Sequence, residues 1–197
     1  MNEPRAYRVS MALVYGSIKI SRAILQRRAG GGTVAAASEH PLDTAVVVGL
    51  GLMWEGSINV YVFKPHWIRW AALPLPGWLR RVGAVLAVLD LIGQVWADWS
   101  LGRNFSPTLR IRSDHQLVTH GPYRWVRHPI YALLVVRSLA YFLLSANWVI
   151  GGLWLLGAAV IIPLRLPREE ADLIATFGDQ YRAYMQRTGA ILPRWRR

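Results

Sequence analysis

The chain has 197 residues and a formal net charge of +12, with 53% hydrophobic and only 17% charged residues. Soluble domains carry about a quarter charged residues, so this composition and a mean hydropathy of +0.24 indicate a membrane protein. The sequence contains no cysteine, which excludes disulfides, zinc–thiolate sites and thiol nucleophiles.

Five segments approach the roughly 20 apolar residues that a membrane-spanning helix needs. They cover about residues 7–25, 43–63, 79–99, 130–146 and 147–164. The first segment is the weakest, because Lys19 and Arg22 lie near its end and would have to snorkel to an interface. The last two segments meet at the short stretch "SAN" (residues 145–147), which predicts a tight helical hairpin. We therefore predict an all-α integral membrane protein with about five transmembrane helices.

Two polar, basic stretches do not span, at residues 100–128 and 165–197. The second predicts a C-terminal helical cap of two short helices, with Gly178 between them, Asp179 capping the next helix and Gly189 ending it. The two stretches lie on the same side because two crossings separate them. The positive-inside rule makes that side cytoplasmic and places the N-terminus outside.

The tight hairpin predicts that the two stretches meet at its feet and form a polar pocket at the membrane surface. Each feature also has a simpler interpretation: Arg124 and Arg127 as headgroup anchors, and the two glutamates as a solvated helix turn. Arg137 lies within the fourth segment, where a charge costs about 2.5–3.5 kcal/mol, so we expect a partner in Asp90 or Glu55. The side chains expected to converge are Tyr123, Arg127, His128, Tyr131, Arg165, Glu169 and Glu170.

Common catalytic motifs are missing from the sequence. There is no HExxH pattern or similar histidine spacing for a metal, no GxSxG elbow, no P-loop and no GxGxxG fingerprint. The sequence therefore predicts no metal and no Rossmann domain, and any nucleotide-like cofactor must be held in another way. Basic charge without a recognition motif also disfavours a nucleic-acid partner.

Two motifs in this order resemble the isoprenylcysteine carboxyl methyltransferase family. They are "DHQLVTHGPYRWVRHPIY" and, after the hydrophobic hairpin, "RLPREEADLIATFGDQYRAYMQRTGAILP". The resemblance covers roughly residues 101–193 and is greatest to compact prokaryotic members. It implies one membrane domain over 1–197, with three helices in 1–100 and the cofactor-binding catalytic region in 101–197.

The resemblance implies S-adenosylmethionine as methyl donor, S-adenosylhomocysteine as product, and a non-Rossmann cofactor site. It assigns Arg165 to the acceptor and Glu169 to the cofactor, both as catalytic residues. Thr108 matches a polar cofactor contact more loosely. The other implied cofactor-binding residues are His115, Gln116, Leu117, Val118, Tyr123, His128, Pro129, Ile130 and Tyr131.

The acceptor implied by the resemblance is lipophilic, either a small molecule or lipid-linked, and membrane lipids are further partners. Carboxyl O-methylation is the first expectation, because a carboxylate is already ionised at neutral pH and needs no general base. The short, Arg- and Ala-rich chain looks bacterial, which predicts an inner-membrane location and an acceptor other than a prenylated cysteine. The alternatives are phospholipid or amine N-methylation, an NADPH-dependent sterol or isoprenoid reductase, and a non-catalytic lipid-binding protein.

Overall fold

The computed structural model describes residues 5–28, 41–102 and 116–194. Thr108 and His115 of the predicted cofactor site lie outside these residues. Two short 3₁₀ helices, Pro65–Ala71 and Gly121–Arg124, connect longer helices. The α-helices are α1 (Arg5–Arg28), α2 (Pro41–Phe63), α3 (Gly77–Leu101), α4 (Pro129–Ser145), α5 (Trp148–Phe177) and α6 (Asp179–Arg187).

The helices confirm an all-α integral membrane fold. Within the described ranges, Thr44–Phe63, Gly77–Leu101 and Trp148–Phe177 are long and apolar enough to cross a membrane. Helix α4 is apolar but has only 17 residues. Helix α1 contains Lys19 and Arg22 and is too polar to be counted among these candidate spans. Five long helices are therefore present, three of which meet the requirements for a span by length and composition.

Helix α3 packs along α4, and α1 packs against both α3 and α4. The contact between α3 and α4 is close because Gly83 has no side chain: a Cβ there would lie 2.6 Å from the backbone nitrogen of Leu144. Gly157 in the same way admits the ring of Trp54, which stacks on Trp154 with 4.9 Å between ring centroids. Small residues thus let the helices approach closely, as is common in membrane bundles.

The predicted hairpin of α4 and α5 is present, and polar groups close its turn. Ala146 has the left-handed φ of 48°, and its N–H donates to the carbonyl of Phe142. Asn147 caps α5 through its side-chain oxygen, which accepts from the N–H groups of Val149 and Ile150 at 3.1 and 3.2 Å. Arg80 donates to the carbonyl of Leu144 from two nitrogens, at 3.1 and 3.0 Å, and so satisfies an otherwise unpaired helix end.

The prediction that the fifth segment ends near residue 164 was wrong. Helix α5 continues for 30 residues to Phe177, with Pro163 and Pro167 inside it. Proline removes one N–H from a helix. These two prolines are four residues apart, so the two missing N–H groups lie on the same side of α5. The backbone hydrogen bonds on the other sides of the helix are kept. The polar C-terminal stretch therefore begins as an extension of a membrane helix.

Gly178 separates α5 from α6 as predicted, with a φ of 54° that favours glycine. The prediction that Asp179 caps α6 was wrong, because Asp179 is the first residue of the helix and pairs with Arg182 at 3.0 Å. Helix α6 ends at Arg187, before Gly189.

Arg137 has the partner that its position required. Its Nε lies 2.7 Å from Oδ2 of Asp90 inside the bundle. Glu55, the other candidate, instead accepts hydrogen bonds from Tyr15 at 2.6 Å and Lys19 at 2.7 Å.

Candidate functional site

The turn before α4 is held against the end of α3. Gly121 has a φ of 61°, and a Cβ at this position would lie 2.2 Å from Oγ of Ser100. Only glycine combines this φ with this close approach. The next residues bury Tyr123 to 7% exposure, and the hydroxyl of Tyr184 in α6 donates to the backbone oxygen of Tyr123. The motif "GPY" therefore fixes a buried tyrosine between α3 and α6.

The start of α4 is joined to the segment after α6 through backbone hydrogen bonds. The N–H of Arg127 donates to the carbonyl of Gly189, and the N–H of His128 donates to the carbonyl of Ala190, both at 2.9 Å. Pro129 is at the first helical position, where its missing N–H leaves no intrahelical bond unmade. Ile130 follows it, half-buried. The residues after α6 are therefore part of the same assembly as "RHPIY".

Glu169 of α5 is the meeting point of three side chains. The hydroxyl of Tyr131 donates to Oε1 of Glu169 at 2.6 Å. Nδ1 of His128 lies 3.6 Å from Oε2, and Nε of Arg165 lies 3.6 Å from Oε1. These contacts confirm the expected convergence of the two feet of the hairpin.

Glu170 joins the same cluster through Arg127. Nε and Nη2 of Arg127 lie 2.9 and 2.8 Å from Oε1 of Glu170, while Nη1 donates to the carbonyls of Met185 and Thr188. The side chain of Arg127 is only 9% exposed, so its interpretation as a headgroup anchor was wrong. Arg124 is exposed and lies over the ring of Trp125 at 4.0 Å, as an interfacial anchor would.

His128 lies between the two glutamates with its side chain 7% exposed. Its Nε2 is 3.3 Å from Oε1 of Glu170 but is not aligned for a hydrogen bond. Burial lowers the pKa of His128, but the adjacent carboxylates of Glu169 and Glu170 raise it more, so the net shift is upward from 6.5. The imidazole therefore favours its charged form more than a free histidine does.

Burial raises the pKa of Tyr123, and the nearby carboxylate of Asp98 raises it further. Tyr123 consequently keeps its proton near neutral pH. It offers a neutral hydroxyl rather than a phenolate beside the cluster.

The remaining predicted site residues lie in the segment that leads into the turn. Gln116 is exposed, and Leu117 and Val118 are half-buried. Their predicted cofactor contacts remain a prediction. The sequence placed Glu170 at the feet of the hairpin but did not identify its pairing with Arg127. It also missed the segment from Tyr184 to Ala190, which carries the carbonyls that bind Arg127 and His128. The only sequence signal for the pairing of Arg127 with Glu170 was that these residues are adjacent to His128 and Glu169.

The cluster combines cations and carboxylates in a partly buried space. Arg127 and Arg165 balance Glu169 and Glu170 in formal charge, and a protonated His128 adds one positive charge. Such a site offers both signs of charge and a hydroxyl donor. It suits a ligand that carries an ammonium and a carboxylate, and the excess cation suits an anionic second ligand.

The model of the isoprenylcysteine carboxyl methyltransferase (ICMT) family matches residues 83–175. This range contains α4, most of α3 and α5, and the cluster around Glu169. The match therefore covers just under half of the 197-residue chain. The match includes the first motif that suggested the family and the start of the second.

Curated relatives show the same similarity. Over 118 residues the chain is 31% identical to a protein-S-isoprenylcysteine O-methyltransferase of Tribolium castaneum, covering 59% of this chain and 42% of the relative. Over 132 residues it is 29% identical to protein-S-isoprenylcysteine O-methyltransferase B of Arabidopsis thaliana, covering 66% of this chain and 62% of the relative. The chain thus spans about two fifths to three fifths of these ICMT relatives.

The fold also resembles a solved structure of the eukaryotic intramembrane Ras methyltransferase ICMT. The TM-score is 0.60 at 24% identity, and the match covers 93% of this chain and 67% of the solved chain. The likeness therefore includes α1 and α2, which lie outside the family match. It shows that the membrane fold is shared along nearly the whole chain.

Proposed function

We propose that the protein is an S-adenosylmethionine-dependent methyltransferase that methylates a carboxylate on a lipophilic, isoprenoid-like acceptor. The observation that carries the proposal is the contact of Tyr131 and His128 with Glu169. It joins the two motifs shared with the family at the membrane-surface end of the hairpin. The names of the relatives as O-methyltransferases support the reaction type.

The donor set fits S-adenosylmethionine, which carries an ammonium, a carboxylate and a sulfonium. Glu169 offers a carboxylate to the cationic groups, and the buried Nε2 of His128 has no aligned hydrogen-bond partner. We assign cofactor binding to Glu169, His128, Tyr123 and Tyr131, with Gln116–Val118 and the backbone of Pro129 and Ile130. When bound, S-adenosylmethionine supplies an activated methyl group.

Arg165 holds the acceptor in this proposal. A guanidinium binds a carboxylate through two parallel hydrogen bonds, which fixes the carboxylate plane. Arg165 is 14% exposed and its contact with Glu169 anchors it beside the cofactor residues. Positioning of the two reactants and exclusion of water account for rate enhancement without a general base.

A carboxylate acceptor explains the protonation chemistry better than an amine. An amine must lose a proton before it is methylated, which calls for a base. Here Glu169 and Glu170 are both engaged by cations, at 3.6 Å from Arg165 and 2.8 Å from Arg127. His128 and Arg127 hold the pKa of Glu170 below its ordinary value, so this carboxylate is a weak base and N-methylation is less favoured. Neither the relatives nor the fold neighbour points to a reductase.

The chain's topology favours a cytoplasmic site. We place the cluster and the basic C-terminal stretch on the cytoplasmic side and the N-terminus on the other, following the positive-inside rule. S-adenosylmethionine then enters from the cytosol, and the hydrophobic tail of the acceptor enters from the bilayer. We propose the bacterial inner membrane as the location, on the basis of the Arg- and Ala-rich composition.

Isothermal titration calorimetry in detergent tests the proposal directly. We expect S-adenosylhomocysteine to bind the wild-type protein, and no binding at millimolar ligand would end the proposal. Glu169→Ala should weaken binding about 10- to 100-fold, because a hydrogen bond to a charged group contributes about 1.5–3 kcal/mol. Asp172→Ala, at an exposed acid on the same helix, is the matched control and should bind like wild type. A labelled-methyl screen of carboxylate against amine acceptors then decides O- against N-methylation.

A further inference from the structure

A row of buried polar side chains lies inside the bundle, away from the cluster around Glu169. Asp90, Gln94 and Asp98 follow one another at every fourth position of α3, and each is 0% exposed. Residues four apart lie on the same side of a helix. With Arg137 of α4 and Arg22 of α1, they form what we call the polar ladder.

The polar ladder is continuous. Arg137 donates to both oxygens of Asp90, at 2.7 and 3.2 Å, and its Nη2 also donates to Oε1 of Gln94 at 2.8 Å. Nε2 of Gln94 donates to Oδ1 of Asp98 at 2.9 Å. Nε of Arg22 lies 3.5 Å from Oδ2 of Asp98. One chain of contacts therefore joins three helices.

The polar ladder leads toward the candidate site. Asp90 and Asp98 are eight residues apart, about 12 Å along a helix axis. Asp98 is within one turn of the end of α3 at Leu101, and Ser100 lies against Gly121 of the turn that carries Tyr123. The top of the ladder thus lies beneath this turn.

Stability alone does not account for these charges. Removing a buried ion pair as a unit, in favour of apolar residues, is often neutral or stabilising, whereas removing one partner is strongly destabilising. A guanidinium bound to both oxygens of a carboxylate also tolerates little sliding, so it fixes how two helices are aligned. The pair of Arg137 and Asp90 fixes α4 along α3.

We propose that the polar ladder is a positioning device for the methyl-transfer site. It aligns the end of α3, which supports the Tyr123 turn, with the start of α4, which carries His128 and Tyr131. Arg137, Asp90 and Gln94 are positioning residues, because they act through these side chains and do not touch the ligands. The ligand readout of this inference rests on the proposed function, while the alignment itself does not.

The test is the double variant D90L/R137L, which removes the pair without leaving an unpaired charge. In the ligand-free protein, amide hydrogen exchange should become faster over residues 121–131 and stay unchanged over 146–150, at the other end of the hairpin. S-adenosylhomocysteine should bind about tenfold more weakly, within the range seen for mutations along coupling networks. K19L/E55L, which removes another interhelical pair, is the matched control and should change neither measurement.

Gln94→Met provides a second variant if the double variant does not fold. It breaks the link between Arg137 and Asp98 but leaves both charge pairs, and about threefold weaker binding is expected. Wild-type exchange over 121–131 in the folded double variant, or in Gln94→Met if only that variant folds, overturns the inference. Failure of the wild-type protein to bind S-adenosylhomocysteine overturns the proposed function instead, and the exchange result still decides the role of the ladder.

Discussion

The two ends of the α4–α5 hairpin are both polar, but they are held in different ways. At the turn, Asn147 and Arg80 bond to backbone groups that the helix ends would otherwise leave unpaired. At the feet, charged side chains meet other charged side chains, with Glu169 and Glu170 facing Arg165, Arg127 and His128.

This difference separates a structural end from the proposed functional end. At the turn, side chains bond to backbone groups, so the helix-end groups there have their hydrogen-bond partners. The feet instead hold several ionised groups close together in a partly buried space, which costs desolvation energy. Groups of this kind concentrate where ligands bind, so a change at the turn should affect stability and a change at the feet should affect ligands.

Arg127→Ala should produce the largest effect. It leaves Glu170 without its buried partner and frees the carbonyls of Met185 and Thr188. Loss of one partner of a buried pair costs about 3–5 kcal/mol, so we expect a matching loss in the free energy of unfolding in detergent. Arg124→Ala, at an exposed neighbour, should change it by less than about 0.5 kcal/mol. Equal effects would mean that Arg127 is an anchor after all.

Arg165→Ala should act on turnover more than on cofactor affinity. A misplaced reactant can cost about 100-fold in rate, and we expect at least that loss in methyl transfer. S-adenosylhomocysteine affinity should stay within a small factor of wild type in calorimetry. Arg168→Ala is the control on the exposed side of the same helix. Turnover at the wild-type rate would remove Arg165 from the acceptor site.

Asn147→Ala should affect stability alone. Losing an N-cap costs about 1 kcal/mol, and the contact of Nδ2 with the carbonyl of Ile68 at 2.8 Å is lost as well. The free energy of unfolding should fall, while S-adenosylhomocysteine affinity is unchanged. A clear loss of affinity would contradict the separation of the two ends.

The pH dependence of stability should reveal His128. Its folded-state pKa is raised above 6.5 by Glu169 and Glu170, so its stabilising contribution is complete below about pH 6.5 and is lost as pH rises through the raised pKa. The slope from one group does not exceed about 1.4 kcal/mol per pH unit. His128→Gln should flatten unfolding curves across this window, and His66→Gln at an exposed histidine should not.

The sequence predicted the meeting of the two feet of the hairpin better than it predicted the lengths of the helices. The short connection between α4 and α5 was enough to predict that His128 and Tyr131 lie near Glu169. Two antiparallel helices joined by a short loop must have their far ends side by side. The end of α5 was missed because prolines usually stop helices, and hydropathy gives no measure of the packing that carries a helix past Pro163 and Pro167.

The role of Arg127 was not predictable from its own segment. An arginine beside a membrane helix has the same local pattern whether it contacts headgroups or a buried acid. The difference depends on Glu170 and on carbonyls about 60 residues later in the chain. The partner of Arg137 was easier to predict, because a charge in an apolar helix requires a partner and the membrane segments contain few acidic residues.

The pairing of Arg127 and His128 with Gly189 and Ala190 has a consequence for biosynthesis. Chains are made from the N-terminus onward, so α1 to α5 are synthesised before the residues that complete the cluster. A nascent chain that stops before residue 189 has its bundle but lacks the carbonyls that hold the start of α4. The ribosome must therefore pass Ala190 before the site can assemble.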